Sequence, residues 1–233
     1  MMSFIEALRQ RALNGYMPVI ADIKSKSPKE GELIGSRDCR ELAETLVSAG
    51  APALSVVTES EHFGGSLNML ERICASVDVP VLRKDFIQTE MQIRETASAG
   101  ASAVLLIVAI LDQVRLRRLY DAALRYDLIA LVETHSLAEI HMANAISPEL
   151  VGINNRDILS FEKDDGEVST TERLIRAVQG NSCIVSESSI RTASDVARAG
   201  KAGADAVLVG TALLTAPDIS EKYRELSIPL TEV

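Results

Sequence analysis

The sequence alternates eight times between a short apolar run and a segment whose apolar residues have helical spacing. Each apolar run precedes a polar loop, which predicts eight buried strands, at residues 18–24, 53–57, 79–82, 103–108, 128–132, 150–153, 183–186 and 206–209. Strands that alternate with helices form a parallel sheet. Eight such units predict an α/β fold, a (β/α)8 TIM barrel with a single domain over residues 1–233, because a doubly wound sheet usually has about five or six strands and a Gly-rich first turn.

Two local patterns support the barrel. Ala-Gly-Ala recurs at 49–51, 99–101 and 202–204, each time between a predicted helix and the next strand, where glycine favours a left-handed helix stop. Ahead of the first strand, apolar residues at positions 4, 5 and 8 predict a short N-terminal helix that ends near Gly15. We expect this helix to cover one end of the core.

The charge balance argues against two classes of partner. A net charge of -9, from 24 basic and 33 acidic residues, is not typical of a chain that binds nucleic acid or an anionic membrane surface. The longest apolar run, residues 103–111, is about half the length of a membrane-spanning helix. An anionic ligand must therefore meet a local cluster of basic residues.

Cysteine and histidine usage gives no sign of a disulfide framework or a metal centre. Cys39, Cys74 and Cys183 are odd in number, far apart and without metal-ligand spacing, which indicates reduced thiols in a cytoplasmic protein. The three histidines form no zinc signature. We predict no metal site.

Polar and charged residues recur where the predicted strands end. In a barrel these ends meet at the C-terminal face, which carries the chemistry. Such a convergence of lysines, an arginine and carboxylates is hard to explain as solvated surface. The residues are Lys24, Glu59, Lys84, Glu133, Asn154, Arg156, Glu187, Ser188, Gly210 and Thr211.

The first predicted strand, in the stretch PVIADIKSKSP, carries two ionisable residues at its C-terminal end, Asp22 and Lys24. Burying either charge costs free energy unless it is paired or used. Both are therefore candidate catalytic residues. The alternative is that they form an ion pair that only closes the end of the barrel.

Small residues follow the last two predicted strands, at Ser188, Ser189, Gly210 and Thr211. A barrel commonly binds phosphate there, through backbone N–H groups and the N-terminus of a short helix. Ser189 and Thr211 could instead be helix N-caps. Lys24, expected across the barrel, favours the phosphate interpretation.

Three further strand ends suggest acid–base chemistry. Lys84 could be a general acid, a Schiff-base nucleophile or the partner of a carboxylate, unless it forms an exposed pair with Asp85. Glu133 is either a general base or a residue that orients a lysine. Asn154 and Arg156 suit a carboxylate or a developing oxyanion.

Seven segments together resemble the indole-3-glycerol phosphate synthase family, the (β/α)8 enzymes of tryptophan biosynthesis. They are IADIKSKSP, TESEHFGGS, VLRKDFI, LVETH, GINNRD, VSESSI and VLVGTAL, within residues 18–214. The resemblance implies a carboxy-lyase that closes the ring of 1-(2-carboxyphenylamino)-1-deoxyribulose 5-phosphate to indole-3-glycerol phosphate, with loss of carbon dioxide and water. It implies no cofactor and a small anionic substrate with a phosphate and a carboxylate. We expect a monomer or weak homo-oligomer.

The resemblance also assigns roles. It implies that Lys84 is the general acid, Glu133 the general base and Lys24 a second lysine that contacts the substrate and shares the acid work. Asn154 resembles a residue near the ring nitrogen and hydroxyls, and Glu187 an acid beside the phosphate loop. The substrate-binding residues that it implies are Ser27, Arg156 and Phe63, the last packing against the anthranilate ring.

The sequence departs from the family pattern at three positions. Asp22 stands where the family has Glu, Ser189 where the phosphate loop has Gly, and Thr211 where Ser is usual. Thr211 keeps the hydroxyl. Ser189 adds a side chain where backbone approaches an anion, and Asp22 shortens a carboxylate, so both changes bear on efficiency more than on identity.

Two other functions compete with this interpretation. Another phosphate-binding barrel of the pathway, such as phosphoribosylanthranilate isomerase or the tryptophan synthase α subunit, is one. An isomerase of that kind is expected to pair a Cys with an Asp as base and acid. No Cys here ends a predicted strand at the catalytic face, because Cys183 begins its strand and so lies at the opposite end of the barrel. The other is a catalytically weakened barrel that serves as a subunit or scaffold, although Lys24, Lys84, Glu133 and Asn154 are all intact.

Overall fold

The computed structural model describes residues 2–156 and 167–233, so Asp157, the last residue of the GINNRD segment, lies outside the described residues. Eight parallel strands pair in a closed ring, which confirms the predicted (β/α)8 barrel and its single domain. In ring order the strands are β1 (Val19–Ile23), β4 (Leu54–Val57), β5 (Val81–Lys84), β6 (Ala103–Ile107), β7 (Ile129–Thr134), β8 (Leu150–Asn154), β9 (Cys183–Glu187) and β10 (Ala206–Val209).

Helices surround the barrel and connect its strands. They are α1 (Phe4–Leu13), α2 (Cys39–Ser48), α3 (Leu67–Cys74), α4 (Glu90–Ser98), α5 (Gln113–Arg125), α6 (Leu137–Asn144), α7 (Ser169–Leu174), α8 (Ala193–Ala202), α9 (Thr211–Leu214) and α10 (Ile219–Leu226). No helix of the described ranges is long and apolar enough to cross a membrane.

Two details of the strands differ from the prediction. A small antiparallel pair, β2 (Lys26–Ser27) and β3 (Gly31–Glu32), lies in the loop after β1. The third barrel strand was predicted at 79–82 but runs from Val81 to Lys84. Pro80 cannot donate a ladder hydrogen bond, and Lys84 pairs in register with Val57, so the strand extends to the lysine.

Alternation along the strands decides which side chains face the barrel interior. Val19, Ala21 and Ile23 pack in the cluster that also contains helix residues, whereas Ile20 belongs to the cluster inside the barrel. Because a strand has a period of two, Asp22 faces the same side as Ile20. The same rule places Leu82 and Lys84 on the interior side of β5.

Helix α1 closes the N-terminal end of the barrel, as predicted. Ser3 and Glu6 form a capping box at its start, and its C-terminal end passes into Gly15, which has a φ of +87°. Its buried Phe4 and Leu8 belong to the cluster inside the barrel. The helix therefore keeps water out of the core at the N-terminal end of the barrel.

The Ala-Gly-Ala repeats are helix stops, which confirms the second local prediction. Gly50, Gly100 and Gly203 all have positive φ, at +114°, +83° and +114°. Each follows a helix and precedes a barrel strand. Glycine adopts this left-handed conformation without the penalty that other residues meet.

We expect Phe4→Ala to lower the free energy of unfolding by about 3 to 5 kcal/mol, because Phe4 is fully buried inside the barrel end. Denaturant titration followed by circular dichroism measures the change. Leu13→Ala is the matched control, since Leu13 lies on the same helix with 80% of its surface exposed, and it should change stability by less than about 0.5 kcal/mol. Equal losses in the two variants would contradict the role assigned to α1.

Candidate active site

A cavity of about 550 Å³ opens at the C-terminal ends of the barrel strands. The structure brings most of the predicted site residues to its lining. These are Asp22, Lys24, Phe63, Lys84, Asn154, Arg156, Ser188, Ser189, Gly210 and Thr211. The cavity is large enough for a drug-sized molecule, and its lining combines charged, polar and apolar residues.

Four inward-facing side chains form one layer at the base of this cavity. Asp22, Lys84, Glu133 and Glu187 come from β1, β5, β7 and β9, which are alternate strands of the ring. A barrel interior is normally filled by layers of four side chains from alternate strands, most of them bulky and apolar. Here one layer is replaced by one lysine and three carboxyl groups.

Lys84 is the centre of that layer. Its Nζ donates to Glu133 Oε2 at 3.2 Å and to Glu187 Oε2 at 3.4 Å. Burial alone would lower the pKa of Lys84, but the carboxylates of Glu133, Glu187 and Asp22 together raise it above its ordinary value. The alternative that Lys84 forms an exposed pair with Asp85 is wrong.

Glu187 is the carboxyl group with the strongest reason to hold a proton. It is 1% exposed, and its Oε1 has no hydrogen-bond partner among the described residues. Gly152 on the neighbouring strand makes room for it, since a methyl group there would overlap Oε1. Burial raises the pKa of Glu187 to about 8, with Lys84 acting in the opposite direction and Glu133 adding to the rise.

Asp22 is held from two sides. Its Oδ1 accepts a hydrogen bond from Ser55 Oγ at 2.7 Å, and its side chain is 4% exposed. A methyl group on Gly210 would lie 2.8 Å from Asp22 Oδ2, so the strand end at Gly210 packs closely against the carboxylate. The Asp22 carboxylate therefore has a fixed position within the layer, and it also lines the cavity.

A second ion pair, which the sequence analysis did not find, braces the chain around Lys84. Arg83 faces away from the barrel interior and is 4% exposed; it donates to Asp85 Oδ2 at 2.9 Å and to Thr58 Oγ1 at 3.0 Å. Asp85 also accepts from the Phe86 N–H at 2.8 Å. The residues on both sides of Lys84 are therefore anchored, which limits where its ammonium group can move.

The predicted phosphate loops have an unusual backbone. Ser188 and Ser189 have φ values of +65° and +60°, which is uncommon for residues with a side chain. The alternative that Ser189 and Thr211 are helix N-caps is wrong, because Thr192 caps α8 and Gly210 occupies the N-cap position of α9. Successive N–H groups in such left-handed turns form concave anion-binding sites.

The cavity also has apolar lining residues. Phe63, which was predicted from the resemblance, lines it, and so do Phe86, Leu105, Ile107 and Leu208, which were not predicted as site residues. Phe86 follows Lys84 by two positions, so the same VLRKDF segment signalled it. The three aliphatic residues gave no sequence signal, because they look like ordinary core positions.

Two further predicted residues, Asn154 and Ser27, hold loops. Asn154 accepts the Arg156 N–H on its Oδ1 at 2.9 Å, and its carbonyl lies 2.8 Å from His135 Nδ1. Ser27 is 4% exposed and lies outside the cavity lining; its Oγ accepts the N–H groups of Lys29 and Glu30 at 3.3 and 3.2 Å. In this structure Ser27 orders the turn after β2.

Within residues 2–156 and 167–233, one group of side chains has the composition of metal ligands. Glu59, Glu61 and His62 bring one potential ligand atom each within 4.8 Å of the others. The Glu59 carboxylate, however, accepts the N–H groups of Glu61, His62 and Phe63 at 2.8 to 3.0 Å. Its structural role is to cap the loop that carries Phe63.

Comparison with known proteins gives one consistent family. The family model described as indole-3-glycerol phosphate synthase matches residues 1–226. Curated proteins with that name are similar to this chain. One from Oceanobacillus iheyensis is 40% identical over 231 residues, which cover 99% of this chain and 86% of that protein. One from Pyrococcus furiosus is 44% identical over 208 residues, which cover 89% and 90%. One from Roseiflexus sp. is 44% identical over 225 residues, covering 92% and 82%.

The raised pKa of Glu187 predicts a stability that depends on pH. Between about pH 4.5 and 8 the folded chain holds a proton on this carboxyl that the unfolded chain has lost, so stability falls as pH rises through this window. We expect Glu187→Gln to remove this part of the slope in denaturant titrations at pH 5 to 8.5. Glu71→Gln, at an exposed position, is the control for the loss of one charge. Parallel curves for wild type and Glu187→Gln would refute a protonated Glu187.

Proposed function

The chain belongs to the indole-3-glycerol phosphate synthase family, and from this premise we propose how its residues carry out the reaction. The enzyme is a carboxy-lyase of tryptophan biosynthesis that acts on a small phosphorylated substrate. The observation that carries the assignment of residues is the position of Lys84 Nζ between Glu133 and Glu187 at the base of the cavity.

The stoichiometry of the reaction sets what the site must do. A carbon of the anthranilate ring attacks the ketone, the carboxylate leaves as carbon dioxide, and the ketone oxygen leaves as water. Two protons must reach that oxygen, the first as the new C–C bond forms and the second as the C–O bond breaks. One proton must leave the adjacent carbon. The site therefore needs a general acid that acts twice and a general base that acts once.

We assign the acid steps to Lys84. Its ammonium lines the cavity, and its raised pKa keeps it protonated at neutral pH. The ketone oxygen becomes a strong base only as the ring carbon attacks, so proton transfer from a firmly held ammonium is favourable at that moment. Glu187, in contact with the same Nζ and itself disposed to hold a proton, can reload Lys84 for the second transfer.

Glu133 is the proposed base. It is 2% exposed, and its Oε2 contacts Lys84 Nζ at 3.2 Å, so a proton that it accepts lies next to the amine that has just released one. Asp22, fixed by Ser55, is assigned to the electrostatics of Lys84. The role of Lys24 is to contact the substrate and to share the acid work.

The polar and the apolar lining residues suit the phosphate and the aromatic ring of the substrate. We place the phosphate at Ser188, Ser189, Gly210 and Thr211, where the left-handed backbone and the start of α9 present N–H groups. We place the aromatic ring against Phe63 and Phe86, among the apolar lining residues. Asn154 and Arg156 also line the cavity and are assigned to the hydroxyls and the carboxylate, with Ser27 ordering the turn after β2.

We propose that the enzyme works in the cytoplasm without a nucleic-acid partner, as a monomer or weak homo-oligomer. The net charge of -9 supports the absence of a nucleic-acid partner, and the three free cysteines suit a reducing compartment. An isomerase of the same pathway fits the site less well, because Cys183 lies at the start of β9, away from the cavity.

We expect Lys84→Met to lower single-turnover ring closure by about two to four orders of magnitude, the usual contribution of a general acid. Indole fluorescence follows the product, and the chain contains no Trp to obscure it. A rate above about a tenth of the wild type would be too high for the loss of a general acid, and the role would then move to Lys24.

Two control variants separate chemistry from folding. Lys84→Met leaves Glu133 and Glu187 without their cation, which destabilises a buried cluster. Lys84→Met with Glu187→Gln removes one of those charges and should melt higher than Lys84→Met while remaining inactive. Lys201→Met changes an exposed lysine in the last turn of α8 and should keep full activity.

A further inference from the structure

Asn155, which no argument above has used, lies in a buried network behind the serine loop. It is 3% exposed. Its Nδ2 donates to Glu187 O at 2.9 Å, to Ser188 O at 3.2 Å and to Ser186 Oγ at 3.1 Å. Its backbone N–H also donates to Glu187 O, at 2.8 Å. Asn155 therefore holds two successive carbonyl groups of the strand end that carries the left-handed serines.

The asparagine is itself fixed from the other side. Its Oδ1 accepts the Thr171 N–H at 2.9 Å and the Thr171 hydroxyl at 3.0 Å. The Thr171 hydroxyl lies 2.7 Å from Ser186 Oγ, which closes the network. Because Thr171 belongs to α7, the amide group of Asn155 connects that helix to the end of β9.

These bonds determine the backbone at Ser188. The peptide groups on either side of its Cα are the ones whose carbonyls Asn155 holds, so their relative orientation fixes the φ and ψ of Ser188. A left-handed serine costs free energy, on the order of 1 kcal/mol, and persists only where its surroundings hold it. In trans peptide groups the N–H points opposite to the C=O. With the carbonyls turned towards buried Asn155, the N–H groups of Ser188 and Ser189 turn towards the cavity that both residues line.

We propose that Asn155 is a positioning residue of the phosphate subsite. It does not line the cavity; it holds the Glu187 and Ser188 carbonyls so that the two serine N–H groups converge on the phosphate. This inference rests on the proposed placement of the phosphate at the serine loop. It assigns part of the affinity for phosphate to a residue that never touches it.

Asn155→Ala tests the inference against a matched variant. Asn144→Ala is the match, because Asn144 also bridges two backbone groups, Ala177 O at 2.9 Å and the Gln179 N–H at 3.1 Å, but at the end of α6 on the other face of the barrel. The measurement is the Kd of inorganic phosphate by calorimetry, together with KM and kcat. We expect Asn155→Ala to raise the phosphate Kd about tenfold or more and to raise KM more than it lowers kcat. Asn144→Ala should leave the phosphate Kd within about twofold while losing stability.

The outcomes separate this inference from the proposed function. If wild type binds phosphate and Asn155→Ala binds it equally well, the positioning role is overturned and the phosphate site stands. If wild type does not bind phosphate, the phosphate site and this role fall together. Should Asn155→Ala not fold, Thr171→Val removes only the hydroxyl that steadies Asn155 and fills the same volume. It should raise the phosphate Kd about two- to fivefold, and an unchanged Kd would overturn the role.

Discussion

One ammonium group among three buried carboxyl groups is the interaction on which the site depends. Asp22, Lys84, Glu133 and Glu187 occupy a layer of the barrel interior that apolar side chains would otherwise fill. With every group ionised the layer would carry an excess of negative charge away from water, which is costly. Two of the groups therefore have raised pKa values: Lys84 stays protonated, and Glu187 keeps its proton to an unusually high pH. Such a layer suits the repeated proton transfer proposed above.

The barrel makes this layer possible by its geometry. In a closed ring of parallel strands, inward-facing residues from every second strand lie at the same height. Two residues that are 49 and 103 positions from Lys84 in the chain therefore meet at its one nitrogen. Below the layer, Ile20, Leu82 and other apolar residues fill the barrel, and α1 closes its end. A buried polar layer therefore rests on a dry, packed base that limits relaxation around the charges.

The sequence predicted the barrel because the strand and helix periods of its apolar residues differ clearly. It predicted Lys84 as a site residue because a lysine at the end of an apolar strand costs free energy to bury unless its charge is paired or used. It did not predict that Glu133 and Glu187 share that lysine, since this depends on the register of three strands. Phe86 and Asn155 were missed for a related cause. Both lie inside recognised segments, but only the fold decides which neighbour faces the cavity and which one braces the backbone behind it.

The end of β9 joins the buried layer of charged side chains to the proposed phosphate loop within a few residues. Glu187 sends its carboxyl group into the layer and its carbonyl to Asn155, and the next two residues are the left-handed serines. The spacing between the Glu187 carboxyl group and the serine loop is thus set by covalent geometry at one strand end. The network fixes both peptide groups around Ser188 and one of the two around Ser189, a position where glycine would adopt a positive φ without support. At Ser189, where the sequence departs from the family pattern, the buried hydrogen-bond network therefore supports the backbone from one side.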